Sequence, residues 1–395
     1  MRIGRLTLAM AGFIAAGCRL ETIPGSCTSD RACRSGQRCE LSGPMKNQCV
    51  DLADGGTDAA SGDVMDGPGC LDAGECPNAT PICIAGVCVG CVQASAQACG
   101  ARDPFHSACA ADGRCVECVS GADCSRDPAK AICDAVANTC GPCTVDSQCV
   151  GRPGPGVCMA HQDGRCATET ETIYVQNESS CVADPIATAG GKDAPFCSMQ
   201  PVGAALSAQR RVVVVVGTVS GSPAAIQATT IGEVSIIGQA SGAIVGSVDP
   251  AVHLVSGSVY VRDVRLSSGA SMGCVAESGA ALRLEHVAVT GNPGGGLLLN
   301  GAAFVIRNTA VTNNGPGTTG ATVWGGVLIQ NPPSSGNATL EDVTIQNNQN
   351  VGIACTSRVM GTGVLASGNI GGVDVTPTCG FSSCGVAGPG CGATP

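Results

Sequence analysis

The chain has 395 residues, a formal net charge of -10, 2% aromatic side chains, 57 glycines and 28 cysteines. With a pI near 4.8 it is ill suited to neutralising phosphates, which argues against nucleic acid as a partner. So few aromatic rings also leave few stacking platforms for bases or sugars.

Arg2 and Arg5 precede an apolar run from Leu6 to Ala16, followed by Gly17 and Cys18. A basic start, a short apolar run and small residues before a cleavage point form an export signal. The run is too short for a membrane span, which takes roughly 20 apolar residues. The stretch Ala15-Ala16-Gly17-Cys18 resembles the bacterial lipobox, with Ala15 where leucine is usual. That resemblance implies removal of residues 1–17, acylation of Cys18 and a lipid anchor in the membrane. Arg19 rather than aspartate after the anchor points, by the same family rule, to the outer membrane or cell surface. The alternative is an ordinary signal peptide with a cysteine nearby.

Past Cys18, 20 of the remaining cysteines fall into five groups of four. These are Cys27, Cys33, Cys39, Cys49; Cys70, Cys76, Cys83, Cys88; Cys91, Cys99, Cys109, Cys115; Cys118, Cys124, Cys133, Cys140; and Cys143, Cys149, Cys158, Cys166. The last four groups are joined by CVGC, CVEC and CGPC, so each C-x2-C is a junction between repeats, not a zinc knuckle. Zinc would leave intervening cysteines such as Cys99 and Cys109 without a role, and exported thiols meet an oxidising environment. Disulfides are therefore expected, with no metal or cofactor. Modules of twenty-odd residues cannot build a core, and each bridge supplies ~2–4 kcal/mol. Four cysteines allow three connectivities, and the spacing does not choose among them. The modules resemble the short Cys-rich repeats of exported bacterial lipoproteins, somewhat like the Dickkopf N-terminal type, which act as spacers or binding modules.

The first module ends at residue 50, and an acidic, disordered linker, "DLADGGTDAASGDVMDGPG", fills 51–69 before the tandem repeats of 70–168. Its five aspartates lack the D-x-D-x-D-G spacing of a calcium loop.

From residue 169 to 378 the chain repeats itself, with a cysteine-containing tail over 379–395. "VYVRDVRLSSG", "LRLEHVAVTGN", "FVIRNTAVTNN" and "TLEDVTIQNN" align on Asp263, His286, Asn308 and Asp342, and a weaker copy aligns on Gly363. Alternation on either side predicts two short strands, and the reference residue sits at a bend where left-handed backbone is tolerated. Asn292, Asn314, Asn348 and Asn369 recur at the next turn and should stack along the axis. A third strand follows, with Cys274, Leu297, Val327, Ile353 and Val373 facing inward. Such turns bury a core only by stacking.

This pattern resembles the right-handed parallel β-helix, or pectin-lyase-like, superfamily over roughly Ile173 to Thr378. The fold class is thus all-β, a solenoid preceded by small disulfide-rich repeats. The leading segment "APFCSMQPVGAAL" is expected to hold a short helix capped by Ser198, with Met199, Val202 and Leu206 plugging the open end. Cys181 and Cys197 should pair, and Cys274, in the core, should stay free.

Enzymes of that superfamily work in a groove outside the third strand. The outward row there reads His253, Val275, Leu298, Leu328, Ala354 and Asp374, beside Val255, Glu277, Asn300, Gln330, Thr356 and Thr376. Neither row has a lysine or arginine for lyase chemistry. Glu277 and Asp374 are four coils apart, about 19 Å at ~4.8 Å per strand, beyond the roughly 5–9.5 Å of glycosidase carboxylates. Only His253 and Glu277, one coil apart, resemble an acid/base couple, and the alternative is that both are ordinary surface residues. Arg262, Glu285, Arg307 and Glu341 align as a charge ladder of alternating sign. The function expected is a lipid-anchored surface protein that binds glycan or protein without catalysis. The alternative is a carbohydrate-active enzyme with its site on a loop, such as the insertion carrying Trp324.

Overall fold

The computed structural model describes residues 37–40, 48–51 and 70–381, apart from 71, 73–74, 95–96, 184–188, 222–225, 247 and 334–336. The chain divides into two compact units, residues 1–67 and 68–395. In the first, strand Gln37–Glu40 pairs antiparallel with Gln48–Asp51, setting Cys39 opposite Cys49. The lipobox and linker residues 52–69 lie outside the described residues, while Asp51, expected to open the linker, ends the strand Gln48–Asp51.

The second unit begins with four Cys-rich modules, each ending in a minimal hairpin. The hairpin sets the third cysteine of the module opposite the fourth: Cys83 faces Cys88, Cys109 faces Cys115, Cys133 faces Cys140 and Cys158 faces Cys166. Cross-strand partners point to one side of a hairpin, where they meet the first two cysteines. First therefore joins third and second joins fourth: Cys70–Cys83 with Cys76–Cys88, Cys91–Cys109 with Cys99–Cys115, Cys118–Cys133 with Cys124–Cys140, and Cys143–Cys158 with Cys149–Cys166. A loop of this size is stabilised by about 3 kcal/mol per bridge. In each module three sulfurs lie within 4.8 Å of one another. Their closeness reflects two neighbouring disulfides, and the zinc alternative has no thiolate left to use.

The rest of the unit is a parallel β-solenoid of about six turns. Its first face runs from Thr172–Gln176 through parts of Val212–Ser220, Val234–Gly246 and Val252–Arg262 to Ala280–Glu285, Ala303–Arg307, Ala338–Glu341 and Met360–Thr362. The second face holds the later part of Val234–Gly246, then Arg265–Ser268, Ala288–Thr290, Ala310–Thr312, Thr344–Gln346 and Leu365–Ser367. The third holds Ile226–Gln227, the opening of Val252–Arg262, Cys274–Ala276, Leu297–Asn300, Val327–Gln330 and Ile353–Cys355. Inward side chains from all three faces merge into one core, from Ile173 to Phe381.

The bend between the first and second faces has positive φ in every repeat: 57° at Asp263, 52° at His286, 46° at Asn308, 52° at Asp342 and 62° at Gly363. Asp, Asn, His and Gly, the types that most readily tolerate left-handed backbone, occupy it. At the next turn, Asn292, Asn314 and Asn348 are fully buried. Each Nδ2 donates to the Oδ1 of the asparagine one coil on, at 2.7, 2.9 and 3.0 Å, and the same oxygen accepts the backbone N–H of the donor residue.

Three expectations need correction. The short helix is Val202–Ala205 with Pro201 at its N-cap, and Ser198 instead makes a parallel bridge to Ser220. Met199 and Val202 are nonetheless fully buried, with Leu206 packed beside them. In the last repeat Ile353 is bridged to Val375, not Val373, because Gly371 and Gly372 lengthen the preceding turn. Asp374 thereby leaves the outward row. Its Oδ1 instead accepts from Asn369 Nδ2 at 2.7 Å and ends the asparagine ladder. Cys181 pairs with Cys197, Cys355 with Cys379, and Cys274 is free and buried. Burial pushes the Cys274 thiol up to about 12.

Candidate functional site

Part of the third-face groove is covered by the chain itself. Between Asn314 and Val327 the insertion forms a hairpin of Gly317–Thr319 with Thr322–Trp324. It lays Trp324, fully buried, over the outward side chains Leu328 and Ala354, with Leu298 and Met272 alongside. The indole rests on Gly295, where φ is 112° and any Cβ would come within 2.4 Å of the ring. Trp324 Nε1 donates to Thr319 Oγ1 at 3.2 Å. The tryptophan of the insertion thus packs against its own protein and offers no face to a sugar.

His253 and Glu277 do meet, Nε2 to Oε1 at 2.6 Å, on adjacent coils and partly exposed. Asp374, tied to Asn369, is not available to this couple as a second carboxylate.

A different site lies on the first face, where the fourth tandem module docks. Val157, Met159 and Ala167 of that module form a second apolar cluster with Tyr174, Val212, Val214, Ile237 and Tyr260, which point outward from the solenoid. The run Val212–Val216 breaks the alternation because it is covered on both sides: Val213 and Val215 by the core, Val212 and Val214 by the module. Polar contacts complete the joint. Gln239 Nε2 donates to Pro155 O at 2.8 Å, and His161 stacks on Tyr260 with ring centroids 3.6 Å apart. His161 Nε2 lies 3.1 Å from Ser235 Oγ and 3.2 Å from Glu233 Oε1. Burial opposes ionisation of Glu233, but hydrogen bonds with His161 and Gln162 outweigh it and hold the carboxyl at about 2.

The expected charge ladder is in register, yet only its lower half pairs as foreseen: Arg307 Nε meets Glu341 Oε2 at 2.6 Å. Arg262 turns away from Glu285. Its Nη2 reaches both carboxylate oxygens of Asp146 in the docked module at 2.7 Å, and Nη1 donates to Cys158 O at 3.3 Å. Asp146 presents both of its oxygens to this guanidinium, and charge-assisted bonds of that kind are the strong ones. Glu285 takes the Tyr260 hydroxyl at 2.5 Å instead. Burial and that carboxylate together push the Tyr260 phenol up.

Beneath the overhang of the module lies a cavity of about 580 Å³. Thr144, Asp146 and His161 line it from the module, and Tyr260, Arg283, Glu285, His286 and Arg307 from the solenoid. Its volume falls within the range usual for small-ligand sites. Sequence reasoning missed His161, Tyr260, Asp146 and Arg283, since nothing local joins residues about a hundred positions apart. The unbroken valine run was the one available signal.

Fold and site together define a disulfide-stapled parallel β-solenoid whose last Cys-rich module is built into the solenoid wall. A family model described as a family of unknown function, DUF8331, matches residues 56–173, which take in the tandem modules and stop as the solenoid begins. No curated protein and no solved structure matches the chain. Among the described residues, no helix is long and apolar enough to cross a membrane. Cys18, Cys27 and Cys33 lie outside the described residues, as do the side chains of Cys39 and Cys49.

Proposed function

We propose that this is an exported lipoprotein, anchored through Cys18 at the outer membrane or cell surface, whose pectin-lyase-like solenoid binds glycan or protein without cleaving it. The observation that carries the non-catalytic reading is the stretch of the third-face groove over Leu328 and Ala354, which Trp324 covers. Two further features support display: an oxidised stalk compatible with export, and a polar cavity on the first face. The mature protein screened on glycan and protein arrays should give discrete binders. Cys18→Ser should shift the protein from the detergent phase to the aqueous phase, or leave the precursor uncleaved. Equal partitioning of both forms would remove the anchor, and an empty screen would remove the binding role.

One observation favours the second reading, a carbohydrate-active enzyme: the 2.6 Å contact of His253 with Glu277. Turnover abolished by His253→Ala would establish it.

A further inference from the structure

The cavity under the docked module has an uneven set of charges. Arg262 is paired with Asp146, and Arg307 with Glu341. Arg283 is not: its guanidinium stands 5.7 Å from the Tyr260 ring centroid and forms no ion pair or hydrogen bond among the described residues. It is half-buried and lines the cavity. Around it lie acceptors. Glu285 is fixed through one oxygen by the Tyr260 hydroxyl, and Asp263 lies 3.1 Å from Arg262 Nε and 3.7 Å from His286 Nδ1.

We infer that this cavity binds an oligosaccharide carrying a single carboxylate, with Arg283 as the carboxylate's partner; this rests on the glycan-binding reading above. A guanidinium presents two parallel N–H donors that match one carboxylate. Sugar hydroxyls donate as well as accept, and the remaining oxygen of Glu285, with the Thr144 hydroxyl, supplies acceptors. The Glu285 and Asp263 carboxylates repel a polyanion, so a chain with an acid on every ring, or an acidic peptide, is disfavoured. Preorganisation is built in: Tyr260 is held between His161 and Arg283, and Arg262 clamps the module wall to the solenoid wall.

Titration calorimetry of the full chain with sialyllactose, lactose and trigalacturonate tests this. Sialyllactose should bind at least tenfold more tightly than the other two. Arg283→Gln should bring it down to the level of lactose, and Arg283→Lys should restore part of the difference. Unchanged sialyllactose binding in Arg283→Gln overturns the assignment, as does trigalacturonate binding as tightly as sialyllactose. If neutral glycans bind on the array while sialyllactose does not, the cavity assignment fails and glycan binding stands. If no glycan binds at all, both fail.

Discussion

Replacing Asn314 by alanine strikes the centre of the asparagine ladder. Asn314 Oδ1 accepts from the Asn292 backbone N–H at 3.1 Å and from Asn292 Nδ2 at 2.7 Å, and Asn314 Nδ2 donates to Val289 O and Asn348 Oδ1, both at 2.9 Å. After truncation Asn292 Nδ2 keeps Leu266 O, and Asn348 Oδ1 keeps the Asn314 backbone N–H. The Asn292 N–H is left without its acceptor in a fully buried site, at a cost of about 1–3 kcal/mol. The three other bonds lost contribute about 0.5–1.5 kcal/mol each, so a total of about 5 kcal/mol is expected. The protein's single tryptophan, Trp324, lies at the end of the insertion that follows Asn314 and is fully buried, so its fluorescence reports these coils. Urea unfolding with disulfides intact should show the loss as a lower midpoint at unchanged slope. The control is Asn300→Ala, an exposed asparagine whose side-chain oxygen accepts from Asn331 Nδ2 at 3.1 Å, for which a change within about 0.5 kcal/mol is expected. If Asn314→Ala shifts the midpoint no further than Asn300→Ala, the ladder is not a source of stability.

Thiol reagent should leave the native protein's Cys274 untouched and modify it once the unreduced chain is unfolded; Cys274→Ser should remove that signal, whereas many titratable thiols with bound zinc would contradict the disulfide assignment. Glu233 has a folded-state value of about 2 against an ordinary 4.5, so its contribution to stability is present above about 4.5 and disappears as pH falls through about 2. Glu233→Gln should accordingly flatten part of the stability–pH curve across that window, and a curve merely parallel to wild type would show that the pair with His161 contributes nothing. Incubation with acidic and neutral polysaccharides, with or without calcium, should give neither unsaturated products nor new reducing ends; activity lost in His253→Ala and Glu277→Gln would reverse that expectation.

What could be read from the sequence was what repeats. Asp263, His286, Asn308, Asp342 and Gly363 announced left-handed bends because few residue types tolerate them, and the buried asparagines announced a stacked turn because their spacing matched one coil. The cysteine groups showed the module boundaries, although the pairing needed the hairpins that set the third cysteine opposite the fourth. Features that occur once were not legible. Asp146 meets Arg262 across 116 positions and His161 meets Ser235 across 74, and no periodicity carries such information. The last repeat misled for a related reason: two glycines lengthened its turn, and setting Val373 in line with Ile353 then placed Asp374 in a groove when it terminates the ladder.

The alternating pairing of the four tandem modules also governs how they respond to a pull. Because first joins third and second joins fourth, tension entering at Cys70 crosses each module through a disulfide and bypasses the loop it closes. Between modules it meets only the two-residue junctions and the small hairpins. The stalk is therefore close to inextensible while oxidised, and its hidden length is released only by cutting sulfur–sulfur bonds. At the far end, the last module passes the load into the side of the solenoid through Arg262 and the valine-covered face, so force is spread over several stacked strands at once.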